Sequence, residues 1–236
     1  MVALDLRAQL AGCRFAANRL REACAEFGAP TVKAAMRRIL DNAQDAFARK
    51  LERLPDCVLS DVLYFDEKLP GDRGTHRVQF NVAKRGSRLV IDNIGTEDQS
   101  EGPNGFTYMN FAGIVLGIAA QTLLHEHTFS IGGAERQIDF RPLPGKLTCV
   151  DHPAAVSGGV LNVSSSYERL RNVFTRLMAS DPELKRDIVV SGPDVPLTVV
   201  AGADDRGNVF GTALTEACGY GGGARSYTDG VATCGA

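Results

Sequence analysis

The chain has 236 residues, of which 44% are hydrophobic and 23% charged, and a formal net charge of −2. Such a composition belongs to a folded chain of one large or two small domains, not to a disordered one. A near-neutral charge gives no electrostatic drive toward nucleic acid or an anionic membrane, and the longest apolar run, Phe111 to Ala120, is too short to span a bilayer. Asp5, Arg7 and Gln9 interrupt any signal-peptide core near Met1. Cys13, Cys24, Cys57, Cys149, Cys218 and Cys234 are scattered without a CxxC pair. They read as reduced thiols of a cytoplasmic protein, with Cys13 and Cys24 as packing residues on helices.

Leu4 to Phe27 is expected to form a helix, with Leu6, Leu10, Cys13, Ala17, Leu20 and Cys24 at three- and four-residue steps. Gly28 and Pro30 end it and start a second helix, Thr31 to Leu54. There Val32, Met36, Ile39, Leu40, Ala43, Phe47, Leu51 and Leu54 make one apolar stripe. The short turn between the helices predicts an antiparallel hairpin over residues 1–54. Beyond Pro55-Asp56 the period changes. Val58 to Asp66, Thr75 to Lys84 and Ser87 to Asp92 read as strands of an antiparallel meander, and Val78, Phe80 and Val82 alternate with Gln79, Asn81 and Ala83. Lys84-Arg85-Gly86-Ser87 reads as a hairpin turn.

A polar, glycine-bearing loop, Asp92 to Asn110, follows. Its place between a strand and a helix suits ligand contact, although a plain connecting turn has the same appearance. A helix is expected from Phe106 to Leu124, with Gly113 and Gly117 on one face for close approach of another backbone. Gln137 to Arg141 and Lys146 to Val150 read as short strands, and Ser164 to Met178 as a helix capped by Ser164 or Ser165. Leu197 to Ala201 and Val209 to Ala217 read as strands around an Asp204 to Asn208 turn. The fold class is α+β: a helical hairpin, then a mixed region over residues 55–236. That region is expected to be incomplete at its C-terminus and part of one larger domain.

Chemical motifs are weak when taken singly. His125-Glu126-His127 lacks the four-residue spacing that puts two histidines on one helical face, so a solvated helix end is favoured over a metal site. Asp151-His152 could pair an acid with a base, but Pro153 favours a structural loop. Gly219 to Gly230 could cradle an anion through backbone N–H groups with Arg225 adding charge, or could be a tight loop; it matches neither GxGxxG nor a P-loop. No GxSxG elbow is present.

An ordered set of stretches resembles the B-type subunit of the hydantoinase/oxoprolinase family, which includes N-methylhydantoinase, 5-oxoprolinase and the acetone and acetophenone carboxylases. Leu4 to Cys13 is similar to a family helix reading Asp-x-x-Ala-Gln, and Met36 to Ala43 to the helix after it. Leu54-Pro55-Asp56 resembles Leu-Pro-Asp-Gly, with Cys57 in place of the glycine. Gly95-Thr96-Glu97-Asp98-Gln99 followed by Gly102-Pro103-Asn104 resembles a family loop. His152 to Ser157, and Gly221 to Arg225 with Asp229-Gly230, complete the set. The His-Pro-Ala-Ala-Val-Ser form and Ser130-Ile131-Gly132-Gly133 look closest to the ketone carboxylase branch.

The resemblance implies ATP-dependent ring opening of a cyclic amide (hydantoin or 5-oxoproline) or carboxylation of a ketone. It implies an A-type partner subunit that carries the ATP chemistry, and hence a hetero-oligomer. It also implies a divalent metal ion whose ligands lie outside this chain, so that no residue here is assigned to metal. The chain is expected to be an internal piece of such a subunit, inactive alone. Asn104, Glu216 and Asp229 are the expected catalytic residues. Gly95, Thr96, Gly105, Gly222 and Arg225 are the expected substrate contacts. The alternative is a non-catalytic assembly module whose helical hairpin docks partner subunits.

Overall fold

A computed structural model describes residues 2–66, 71–188, 198–214, 223–225 and 227–230. Helix α1 runs from Val2 to Phe27 and α2 from Ala29 to Glu52. Gly28 breaks them apart at φ 81°, a left-handed conformation that only glycine takes without strain, and Pro30 falls in the first turn of α2. Strands β1 (Cys57–Phe65), β2 (His76–Arg85) and β3 (Arg88–Asp92) form the expected antiparallel meander. Cys57 pairs with Lys84, and Asn81 with Asp92. Helix α3 (Tyr108–Thr122), a 3-10 turn (His125–Ser130) and the short α4 (Gly132–Glu135) lead to β4 (Ile138–Phe140). Then come α5 (Gly159–Met178), a 3-10 turn (Leu184–Asp187) and a separate hairpin of β5 (Thr198–Ala203) and β6 (Val209–Leu214).

The four-stranded sheet has the order β1-β2-β3-β4, and β4 joins β3 in parallel, pairing Leu89 with Ile138. A parallel neighbour needs a long crossover, and α3 with α4 supply it. The period-two pattern of β2 sends Val78, Phe80 and Val82 into the core, where they meet Leu89 and Ile91 of β3. Phe111 of α3 stacks on Phe80 with ring centroids 5.8 Å apart. Leu170, Val173, Phe174 and Leu177 form the inward stripe of α5, which packs on α3 and β1. Lys84 is buried at the end of the same β2 face. Its ammonium donates to the Leu54 carbonyl and lies 3.1 Å from Asp56. The Gly86 amide and then Lys84 hold the Asp56 carboxyl below its ordinary range, and so fasten the β2–β3 turn to the end of α2.

Several expectations change. Only the second half of the α2 stripe is covered: Ala43, Phe47, Leu51 and Leu54 are buried, while Met36 and Ile39 are about half exposed. The α1 stripe is left uncovered by α2, with Leu6, Leu10 and Leu20 exposed and Cys13 at the surface. Cys13 is therefore not a packing residue, and Cys24 is only half-buried. Lys146 to Val150 is not a strand, because the segment is closed by isolated bridges from Lys146 to Asp98 and Cys149. Helix α5 starts at Gly159, so Ser164 and Ser165 lie inside it and neither caps it. Gly113 faces open space, and Gly117 meets the Tyr167 ring at 3.4 Å instead of a backbone. The close backbone approaches are made by Gly133, against the Leu40 carbonyl and the Gln44 amide of α2, and by Gly159, against the Gly105 carbonyl.

Candidate functional site

The polar loop after β3 is tied down from three sides. Asn93 is fully buried and acts as a staple. Its Nδ2 donates to Thr148 Oγ1 at 2.9 Å and to the Leu143 carbonyl at 3.2 Å, and its Oδ1 accepts the Leu143 amide at 2.7 Å. Gly95 turns the chain at φ 97°. Thr96, 3% exposed, then spends its hydroxyl on the backbone of β2, donating to the Gln79 carbonyl and accepting the Gln79 amide, each at 2.9 Å. Asn162, on the inward face of α5, holds the far end by donating to the Asn104 carbonyl at 2.9 Å and accepting the Ser166 hydroxyl at 3.0 Å. A side chain on Gly105 would collide with Val150, and the Phe106 and Val150 backbones hydrogen-bond across that contact.

Thus the loop is a rigid shelf, not a loose connection. Each buried staple contributes about 1 kcal/mol net, and removing one leaves buried groups unsatisfied at a cost of about 1–3 kcal/mol.

That shelf forms one wall of an open cleft of about 520 Å³, lined by Gln99, Ser100 and Glu101 on one side and by Pro153, Ala154 and Ala155 on the other. Gln99 ties the walls together: its Oε1 accepts the Asp151 backbone amide at 2.6 Å, and its backbone N–H donates to the Gly145 carbonyl at 2.8 Å. With Oε1 so engaged, the Gln99 Nε2 is a donor with no acceptor among the described residues. Glu101 is exposed and takes no ion pair among the described residues. Cys149 is buried beside this region, and burial pushes its thiol up, so it is not a ready nucleophile. One wall therefore offers a carboxylate, a hydroxyl and an amide donor, and the other an apolar face. This donor set can seat a small carbonyl compound and exchange a proton with it.

The expected site residues fall into three groups. Gly95, Thr96, Asn104 and Gly105 share the shelf, where Thr96 is satisfied internally and Gly105 fits closely against Val150. Arg225 and Asp229 lie in an exposed turn, closed by the Arg225 amide donating to the Thr228 carbonyl at 2.9 Å. Tyr227 in that turn sits under the Arg186 guanidinium at 5.8 Å. Glu216 and Gly222 lie outside the described residues. Sequence reasoning missed Gln99, Glu101, Asn93 and Asn162. Asn162 and Ser166 carried a legible signal, being polar residues four apart on the otherwise apolar stripe of α5.

The two histidines His125 and His127 sit in the 3-10 turn, and Glu126 between them pairs with Lys50 at 2.7 Å. Among the described residues no group of three or more His, Cys, Asp or Glu side chains is arranged to hold a metal ion. The cleft residues therefore do not by themselves make a metal site. No helix among the described residues is long and apolar enough to cross a membrane.

The chain is 25% identical over 234 residues to the acetophenone carboxylase delta subunit of Aromatoleum aromaticum, covering 98% of this chain and 34% of that subunit. Its fold matches the crystal structure of ATP-dependent caprolactamase from Pseudomonas jessenii at a TM-score of 0.78 and 20% identity, over 98% of this chain and 39% of that one. It also matches a nucleotide-free acetone carboxylase structure at a TM-score of 0.80 and 16% identity, over 96% of this chain and 32% of that one. The chain thus spans roughly a third of the length of these relatives. A family model, hydantoinase B/oxoprolinase, matches residues 1–236, and the chain belongs to that family.

Proposed function

We propose that this chain is the substrate-processing part of an ATP-dependent enzyme complex that opens a cyclic amide or carboxylates a ketone, and that its site is the cleft between Gln99–Glu101 and Pro153–Ala155. The observation that carries this reading is a convergence. Gln99–Glu101 and Pro153–Ala155 lie more than fifty positions apart, yet they supply the two walls of one cleft. Both candidate substrate classes present a small carbonyl. Gln99 Nε2 would donate to the carbonyl oxygen, while Glu101 would accept a proton. In ring opening that proton comes from the attacking water, and in carboxylation from the carbon next to the ketone. Pro153, Ala154 and Ala155 would hold the apolar part of the substrate.

Gly95, Thr96 and Gly105 shape the shelf in this reading. Asn104 sits at its far end. Arg225 is retained as a contact to the anionic groups that ATP-dependent activation produces, and Asp229 as a catalytic residue. ATP chemistry is assigned to an A-type partner subunit, and any divalent metal to ligands outside this chain. The chain alone is expected to have no turnover.

The test is an assay of the chain mixed with a cognate A-type subunit, ATP and a divalent metal, against hydantoin, 5-oxoproline, caprolactam, acetone and acetophenone. Glu101→Gln should lower kcat at least 100-fold in the active mixture, and Gln99→Leu should lower kcat/KM. Full activity in both variants would remove the cleft from consideration. Full activity in Asn104→Ala and Arg225→Ala would remove those two residues. Turnover without a partner subunit would refute the division of labour.

A further inference from the structure

The exposed stripe of α1 has a stricter pattern than a surface helix needs. Leu6, Leu10, Cys13, Ala17, Leu20, Cys24 and Phe27 follow one another at steps of four, three, four, three, four and three. That is the 3.5-residue period of a coiled-coil seam, sustained over three heptads, where a core-facing helix would drift at 3.6. Leu6, Leu10, Leu20 and Phe27 are 56%, 58%, 44% and 57% exposed, so the described residues leave these seam positions uncovered, while Ala17 and Cys24 are half-buried. Phe15, on the opposite face, is also exposed, at 67%, with the Arg19 guanidinium 5.9 Å from its ring centroid.

The flanks of the seam decide what it can bind. With Leu6, Cys13, Leu20 and Phe27 at the d positions, each e position in α1 is an arginine: Arg7, Arg14 and Arg21. The g positions Gln9, Ala16 and Ala23 carry no charge. In a parallel pair of two copies, the arginines would face only Gln9, Ala16 and Ala23. In an antiparallel pair of two copies, they would face one another. Neither arrangement pairs the charges, and the second repels.

We propose that α1 docks a helix of a partner polypeptide through a heteromeric coiled coil, and that the partner helix carries an apolar seam flanked by glutamate or aspartate. Arg7, Arg14 and Arg21 select that acidic flank, and the small Cys13, Ala17 and Cys24 let the two backbones approach closely. This deepens the assembly reading of the helical segment. It rests on α1 alone, so its failure would leave the cleft proposal untouched.

Two designed 28-residue peptides with identical Leu/Ile seams test it, one with Glu and one with Lys at e and g, each titrated into the full chain by fluorescence anisotropy at low salt. The Glu peptide should bind at least about ten-fold tighter, because three pairs change from attractive to repulsive. The R7E/R14E/R21E variant should invert the preference, while R7K/R14K/R21K keeps its sign. L6K/L10K, with helix content checked by circular dichroism, should bind neither peptide. Equal binding of the two peptides, no binding of either, or self-association of the chain through this seam in sedimentation velocity would overturn the proposal.

Discussion

Two glycine-to-alanine substitutions of the same chemistry should move stability in opposite directions. Gly159 begins α5 at the point where it meets the loop. An added Cβ there would lie 2.5 Å from the Gly105 carbonyl oxygen and 3.6 Å from the Phe106 Cβ. Real Cβ atoms essentially never come within 3.0 Å of a backbone atom, so α5 and the shelf must separate by about half an ångström or more. Phe106, whose amide bonds Leu147 at 3.0 Å and whose carbonyl accepts from Val150 at 3.0 Å, would have to follow. Overpacking against backbone costs about 1–3 kcal/mol. Gly159→Ala should therefore lower Tm by roughly 2–12 °C, at about 2–4 °C per kcal/mol for a chain of this size. Gly113 lies in the middle of α3 with nothing within 4 Å of its added Cβ. Gly113→Ala gains only helix propensity, about 0.5–1 kcal/mol, and should raise Tm by roughly 1–4 °C. Differential scanning calorimetry of both variants beside the parent is the assay. A Gly159→Ala melting point equal to or above the parent's, or a fall in Gly113→Ala as large as that in Gly159→Ala, would refute the contact argument.

Asn162→Ala should cost about 2 kcal/mol, because the Asn104 carbonyl and the Ser166 hydroxyl lose a buried partner; hydrogen exchange should speed up at the Phe106 and Val150 amides, and unchanged exchange there would count against the staple. Lys84→Met should cost about 1–2 kcal/mol through the unpaired Leu54 carbonyl, seen as a lower urea midpoint with an unchanged m value. Asp181, nearly buried, is held below the usual carboxylate range by the Leu184 amide, then by the Arg53 guanidinium and the Glu183 amide. A depressed folded value means that its stabilisation is present above the ordinary value of about 3.9 and is lost as pH falls toward the folded one. Asp181→Asn should flatten the stability profile below about pH 4, and a profile as steep as the parent's would show that other carboxylates carry the acid response.

How much was legible depended on what each signal rests on. The β2 alternation Val78, Phe80, Val82 was readable because a half-buried strand repeats every two residues whatever lies next to it. Helix α5 and its inward Leu170, Val173, Phe174 and Leu177 were readable for the same kind of reason. Lys146 to Val150 failed as a strand because it is closed by isolated bridges to Asp98 and within itself, and its Thr148 is bonded to Asn93, some fifty positions away. Hydrogen bonds at that separation leave no trace in a local window. The candidate site was half legible. The motif resemblance pointed to the Gly95–Asn104 loop and to His152–Ser157, but not to Gln99 and Glu101 as the polar side chains of their shared cleft.

The sequence by itself determined the periodic features: the helices, the meander, the heptad seam of α1 and the family. Period, turn chemistry and composition are properties of neighbours along the chain. The tertiary structure alone decided which stripe is covered. The apolar positions of α1 and α2 look alike on paper, yet Phe47 and Leu51 are buried while Leu6 and Leu10 face solvent. Burial depends on what a helix is packed against. It was likewise the tertiary structure that set β4 parallel to β3 and brought Glu101 and Pro153 to one cleft, because both outcomes depend on how distant segments close on a shared core.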